Sequence, residues 1–222
     1  VAVKYRGRVL SPGLRGGSRR ESAETIVEDN GSRLPAMPDD MPEDLIDKPV
    51  VMETLKSNGM ALKTMPRIIR ADREFVKEAV LQDGRALFFA AEAFHEDVEL
   101  VLEVMKQRGE LLERLGEDLR SNPDVVLEAV RQHGLALQFA SEELRGDSDM
   151  VIEAMQQNWR AVEYATDSVH GDRKFMASAL KISWRALHFA SQELCADRTI
   201  VRDAAIQNWA ALAHAADYLR AE

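Results

Sequence analysis

Apolar residues recur along residues 47–222 with a period of 25, which predicts a tandem repeat rather than a fold built from unrelated elements. Counted from Asp72, one column of the repeat reads Asp47, Asp72, Asp97, Asn122, Asp147, Asp172 and Asp197. Asp and Asn cap helix N-termini because their side-chain oxygens accept hydrogen bonds from the unpaired amides of the first turn. Pro123 follows Asn122, at the first helical position, where a missing donor costs nothing. Behind each cap come an apolar pair, such as Phe75/Val76 or Val125/Val126, and one turn later a second pair, such as Ala79/Val80 or Ala129/Val130. This spacing makes one apolar stripe on a helix of about ten residues. Val76, Val101, Val126 and Val151 should face inward, with Glu78, Glu103, Glu128 and Glu153 nearer solvent.

The first helix is expected to stop at a left-handed glycine in the first four units, at Gly59, Gly84, Gly109 and Gly134. In the last three units the same column holds Trp159, Trp184 and Trp209. Positive φ is strained for tryptophan, so either Asn158 and Asn208 take the left-handed role or these turns have another shape. A second helix follows, with stripes such as Ala86, Leu87, Ala90 and Phe94 or Ala136, Leu137, Ala140 and Leu144. Its small-residue column, Ala90, Ala140, Ala165, Ala190 and Ala215, predicts close helix crossing. Helices this short are marginal alone and must be held by their neighbours, as in a solenoid. The predicted fold is therefore all-α, with seven two-helix repeats over residues 47–222.

The unit from Asn122 to Leu144 reads [DN]-x-x-x-V-x-x-A-x-x-Q-x-G-x-A-L-x-x-A-x-x-x-L. On this pattern the chain resembles the tandem helical repeats known only as a domain of unknown function, frequent in unicellular algae and amoebae and found in some bacterial proteins. The resemblance implies a fold and no activity, since that family brings no catalytic residues. Two departures stand out: the tryptophans of units five to seven, and Pro66, which should kink or shorten the second helix of unit one.

Residues 1–46 lack the period and are rich in Gly and Pro, which predicts an extended arm without a fold of its own, ordered by partners. Charge divides the chain in the same place. Lys4, Arg6, Arg8, Arg15, Arg19 and Arg20 stand among the first 20 residues without an acid, so a net charge of −9 leaves −15 on the remainder. Composition is otherwise ordinary for a globular chain, and no apolar run approaches the length of a membrane span. The start at Val1 suggests a processed or truncated chain, with removal of a targeting segment the simplest cause of processing.

Candidate chemistry is sparse. Cys195 is the only cysteine, so no intrachain disulfide forms. His95, His133, His170, His188 and His214 lack metal-ligand spacing on any one helix face, and no nucleophile elbow, P-loop or dinucleotide motif occurs. No catalytic residue, metal or cofactor is expected. The tryptophan column reads as inter-repeat core, with an exposed stacking surface as the alternative. As core, Trp184→Ala would cost roughly 3–5 kcal/mol. Glu92, Glu117, Glu142, Asp167 and Asp217 share one column, either a solvated face or a docking strip for a basic partner segment.

These features predict a non-catalytic accessory subunit or scaffold that binds partner proteins in a larger assembly. The resemblance to algal proteins and the start at Val1 suggest an organelle, a plastid before a mitochondrion, for example the soluble face of a photosynthetic membrane complex. The alternatives are a cytoplasmic setting and a ribosomal-type, nucleic-acid-associated protein whose basic arm neutralises phosphates. A lysine or arginine stripe at the repeat period, which a repeat-based RNA reader would need, is missing.

Overall fold

Each repeat opens with a ten-residue α-helix started by its predicted cap. A computed structural model describes residues 37–220, and no strand occurs among them. The seven opening helices are Lys48–Ser57, Arg73–Gln82, Val98–Gln107, Pro123–Gln132, Ser148–Gln157, Arg173–Ile182 and Arg198–Gln207. Every cap residue uses its side chain: Asn122 accepts from the amides of Asp124 and Val125 at 3.0 and 3.3 Å, and Asp197 from those of Thr199 and Ile200 at 2.8 and 3.2 Å. The apolar stripe faces inward as expected, with Val76, Val101, Val126 and Val151 fully buried and the neighbouring glutamates half-exposed.

The second half of the repeat is helical but broken in two. A six-residue 3-10 helix comes first, for example Gly134–Phe139, followed by one short turn of helix, for example Glu142–Arg145. In a 3-10 helix residues three apart eclipse, which stacks Ala136 over Phe139. The alanine column marks the break: Ala90, Ala140, Ala165, Ala190 and Ala215 all take extended backbone, with ψ from 149° to 169°. In five of the units the residue after the break turns its amide to the previous repeat. Ala91 donates to Arg70 O at 2.8 Å, Ser141 to Arg120 O at 3.0 Å, Thr166 to Arg145 O at 3.2 Å, Ser191 to His170 O at 3.2 Å and Ala216 to Cys195 O at 2.9 Å. Pro66 occupies this post-break column in unit one. It caps the short helix Arg67–Arg70 rather than kinking a longer one, because every unit breaks there.

Among the described residues, 37–95 form one compact body and 96–220 a second. In the first, helices Lys48–Ser57 and Arg73–Gln82 pack together, as do their 3-10 segments. In the second, the opening helices of units three to seven pack each on the next, with the 3-10 segments forming a parallel row beside them. Val126, Ala129, Val130, Ala136 and Leu137 of unit four, all without exposed surface, typify the core between the rows.

The glycines do not act as left-handed terminators. The residue before each glycine or tryptophan, from Asn58 to Asn208, lies in extended backbone with φ between −143° and −157°. What requires glycine is close approach. A Cβ on Gly109 would lie 2.1 Å from Ala129 O of the next unit, and one on Gly134 would lie 2.4 Å from Ala154 O. Gly109 and Gly134 also donate to Gln132 and Gln157 Oε1 at 2.7 and 2.6 Å, which satisfies two buried amides across the repeat junction.

The arm expectation falls partly outside the described residues, which begin at Met37. Residues 37–46 touch the first repeat more than an independent arm should. Met37 donates to Thr64 O at 2.9 Å, Asp39 pairs with Arg70 at 2.5 Å, and Ile46 is buried.

Candidate interaction face of repeats five to seven

Backbone packing at the glycine column leaves no room for a side chain between repeats, so a larger residue there must project sideways or outward. The tryptophans do so. Trp159 and Trp184 are mostly buried, in line with the expectation, whereas Trp209 of the terminal unit is 80% exposed, so the expectation of a core column fails at the last of the three. The Arg185 guanidinium carbon lies 5.5 Å from the Trp159 ring centroid and 4.7 Å from that of Trp184, placing one cation between two indoles. Arg160 adds a third contact, 5.7 Å from the Trp159 ring. A guanidinium within about 6 Å of an aromatic face is attracted by the ring quadrupole. The residue matching Arg160 and Arg185 in unit seven is Ala210, which carries no cation for Trp209.

The glutamine bridge changes over the same stretch. Ile182 stands where units three, four and five end their opening helix in Gln107, Gln132 and Gln157, and the Gln207 amide of unit seven donates to Leu180 O at 2.5 Å. Tryptophan in place of glycine thus coincides with loss of the glutamine bridge at Ile182 and its redirection to a backbone carbonyl at Gln207. Ile206 and Tyr218, 76% and 57% exposed, add apolar surface to the last unit.

Rings from adjacent repeats also meet here. His188 Nδ1 lies 3.2 Å from His214 Nδ1, the His188 ring meets Phe189 edge-on at 4.9 Å between centroids, and Phe189 stacks on His170 at 6.1 Å. Burial, and then the nearby His188, hold His214 below its ordinary value of 6.5. The folded chain thus binds this proton less readily than the unfolded chain. The stability His214 contributes is complete above 6.5 and is lost as pH falls through the lowered folded value. Thermal melts between neutral and mildly acidic pH should show this loss, and His214→Gln should flatten it. Asp197 behaves in the carboxylate sense: hydrogen bonds from Arg173 and then from the Ile200 amide hold it at about 2, against an ordinary 3.8. Its contribution is present above 3.8 and fades as pH falls toward 2.

The acidic column is exposed throughout. Glu92, Glu117, Glu142, Asp167 and Asp217 are each the first residue of a short helical segment, where a negative charge offsets the unpaired amides of the first turn. That role accounts for their recurrence without a ligand. The six cations of the arm, Lys4 to Arg20, lie outside the described residues.

Two features escaped the sequence pattern. The arginines beside the tryptophans were visible as the dipeptides Trp159-Arg160 and Trp184-Arg185. The pairing of His188 with His214 was signalled only by a separation of 26, one more than the period.

No curated protein and no solved structure matches the chain. One family model, described as a domain of unknown function (DUF4116), matches residues 47–95, 97–145, 122–169 and 172–220. Each match spans two of the structural repeats, and the second and third overlap by about one, so the shorter unit is the true period. With matches over more than half of its length, the chain belongs to the DUF4116 family.

Proposed function

We propose that the chain is a non-catalytic scaffold subunit that binds partner proteins, with Trp159, Arg160, Trp184, Arg185 and Trp209 as its principal contact face. The observation that carries this reading is the Trp209 indole, 80% exposed, at the end of a column in which Arg185 lies between the partly exposed Trp159 and Trp184 rings. Tryptophan and arginine are enriched among the residues that dominate binding energy at protein interfaces, tryptophan through its large rigid area and arginine through its planar set of donors. The assembly we have in mind is a larger and organellar one, such as the soluble face of a photosynthetic membrane complex. Interleaved indoles and guanidinium groups also favour a second reading, a stacking platform for single-stranded nucleic acid.

Affinity capture separates the two. The full chain should retain partner proteins after nuclease treatment, and a Trp159→Ala, Trp184→Ala, Trp209→Ala variant with an unchanged circular dichroism spectrum should lose them. Undiminished capture by that variant would refute the face. Nuclease-sensitive capture with a steep salt dependence would transfer the face to nucleic acid. Trp209→Ala alone should change stability by no more than about 0.5 kcal/mol, as for other exposed sites, so lost capture could not be blamed on unfolding.

A further inference from the structure

We propose that His188 and His214 form a two-imidazole site for a divalent transition-metal ion, which ties repeat six to repeat seven. The sequence pattern argued against metal ligands on a single helix face; this pair instead spans two repeats, one imidazole from each of the 3-10 segments Trp184–Phe189 and Trp209–His214. Their Nδ1 atoms lie 3.2 Å apart, with rings 4.7 Å apart between centroids and inclined at 68°. Two nitrogens bound at ordinary zinc–imidazole distances and a tetrahedral angle are about 3.3–3.4 Å apart, so the separation of the pair already suits a shared ion, and a turn of the exposed His188 ring would aim both lone pairs at it.

The chemistry is balanced without any loss of protons at neutral pH. In the empty pair one Nδ1–H donates to the other Nδ1. A shift of that hydrogen to Nε2 of the same ring frees both Nδ1 lone pairs for the ion, and both Nε2–H groups are left to solvent or backbone acceptors. The His188 ring is already braced edge-on by Phe189. Among the described residues no group of three or more His, Cys, Asp or Glu could hold a metal, so water or a partner's side chain fills the remaining positions. Imidazole donors select zinc, copper(II) or nickel(II) over magnesium and calcium. Because the ligands come from different repeats, ion binding adds directly to the cohesion of the last repeat.

The test is calorimetric titration of the untagged full chain with zinc and copper(II), with copper electron paramagnetic resonance as the second readout. One ion per chain should bind, and its copper spectrum should show coupling to two nitrogens. Removing either imidazole converts a chelate to a single ligand, so His188→Ala and His214→Ala should each weaken binding roughly tenfold or more, while His133→Ala leaves it unchanged. His188 is exposed, so His188→Gln offers a folded variant with the same expected loss. Equal binding in these variants, a copper spectrum without two-nitrogen coupling, or no binding at millimolar ion would each overturn the proposal.

Discussion

Gly109→Ala should destabilise the chain by about 1–3 kcal/mol or more in urea unfolding, although it adds a single methyl group. The added carbon would sit 2.1 Å from Ala129 O and 3.0 Å from Ala129 C, both backbone atoms of the next opening helix. Neither can move without displacing that helix. The 2.7 Å bond from the Gly109 amide to Gln132 Oε1 would be stretched by the same displacement, leaving a buried donor unsatisfied. Gly116 supplies the control, because a Cβ there meets nothing within 4 Å and its φ is −64°. Gly116→Ala should therefore be neutral or stabilise by up to about 1 kcal/mol through reduced freedom of the unfolded chain. Equal effects at the two sites would mean that the repeats do not approach as closely as described.

Leu137→Ala should cost about 2–5 kcal/mol, because Leu137 has no exposed surface between the helical row and the 3-10 row and its removal leaves a cavity. Trp184→Ala should cost less, roughly 1–2 kcal/mol, since the indole keeps part of its surface in solvent and one of its neighbours is the exposed Arg185 guanidinium. The sequence pattern alone, reading Trp184 as core, put its loss at roughly 3–5 kcal/mol. A larger loss at Trp184 than at Leu137 would mean that the indole is held as firmly as the aliphatic core.

The repeat length, the seven caps and the first-helix stripe were legible because each depends on local chemistry. A capping oxygen reaches amides two or three residues on, as Asn122 does, and the stripe of Val125, Val126, Ala129 and Val130 lies within one helix. The broken second helix was not legible. Ala136, Leu137, Ala140 and Leu144 suit a continuous helix as well as a 3-10 segment followed by a turn. What decides between them is the bond from the Ser141 amide to Arg120 O, made by the preceding repeat. The glycine column was visible, but its cause was not, since local reasoning points to backbone handedness and the structure to a carbonyl from the next unit. Trp209 alone was misplaced, because no following unit among the described residues covers it.

Hydrogen exchange with mass spectrometry on the full chain, alone and bound to its captured partner, tests the proposed face most directly. Protection should rise on binding in the segments around Trp159-Arg160, Trp184-Arg185 and Trp209, while the buried opening helices, already protected, stay unchanged. Protection confined to residues 1–46 or to the segments that begin at Glu92, Glu117 and Glu142, with none at the tryptophans, would contradict the account.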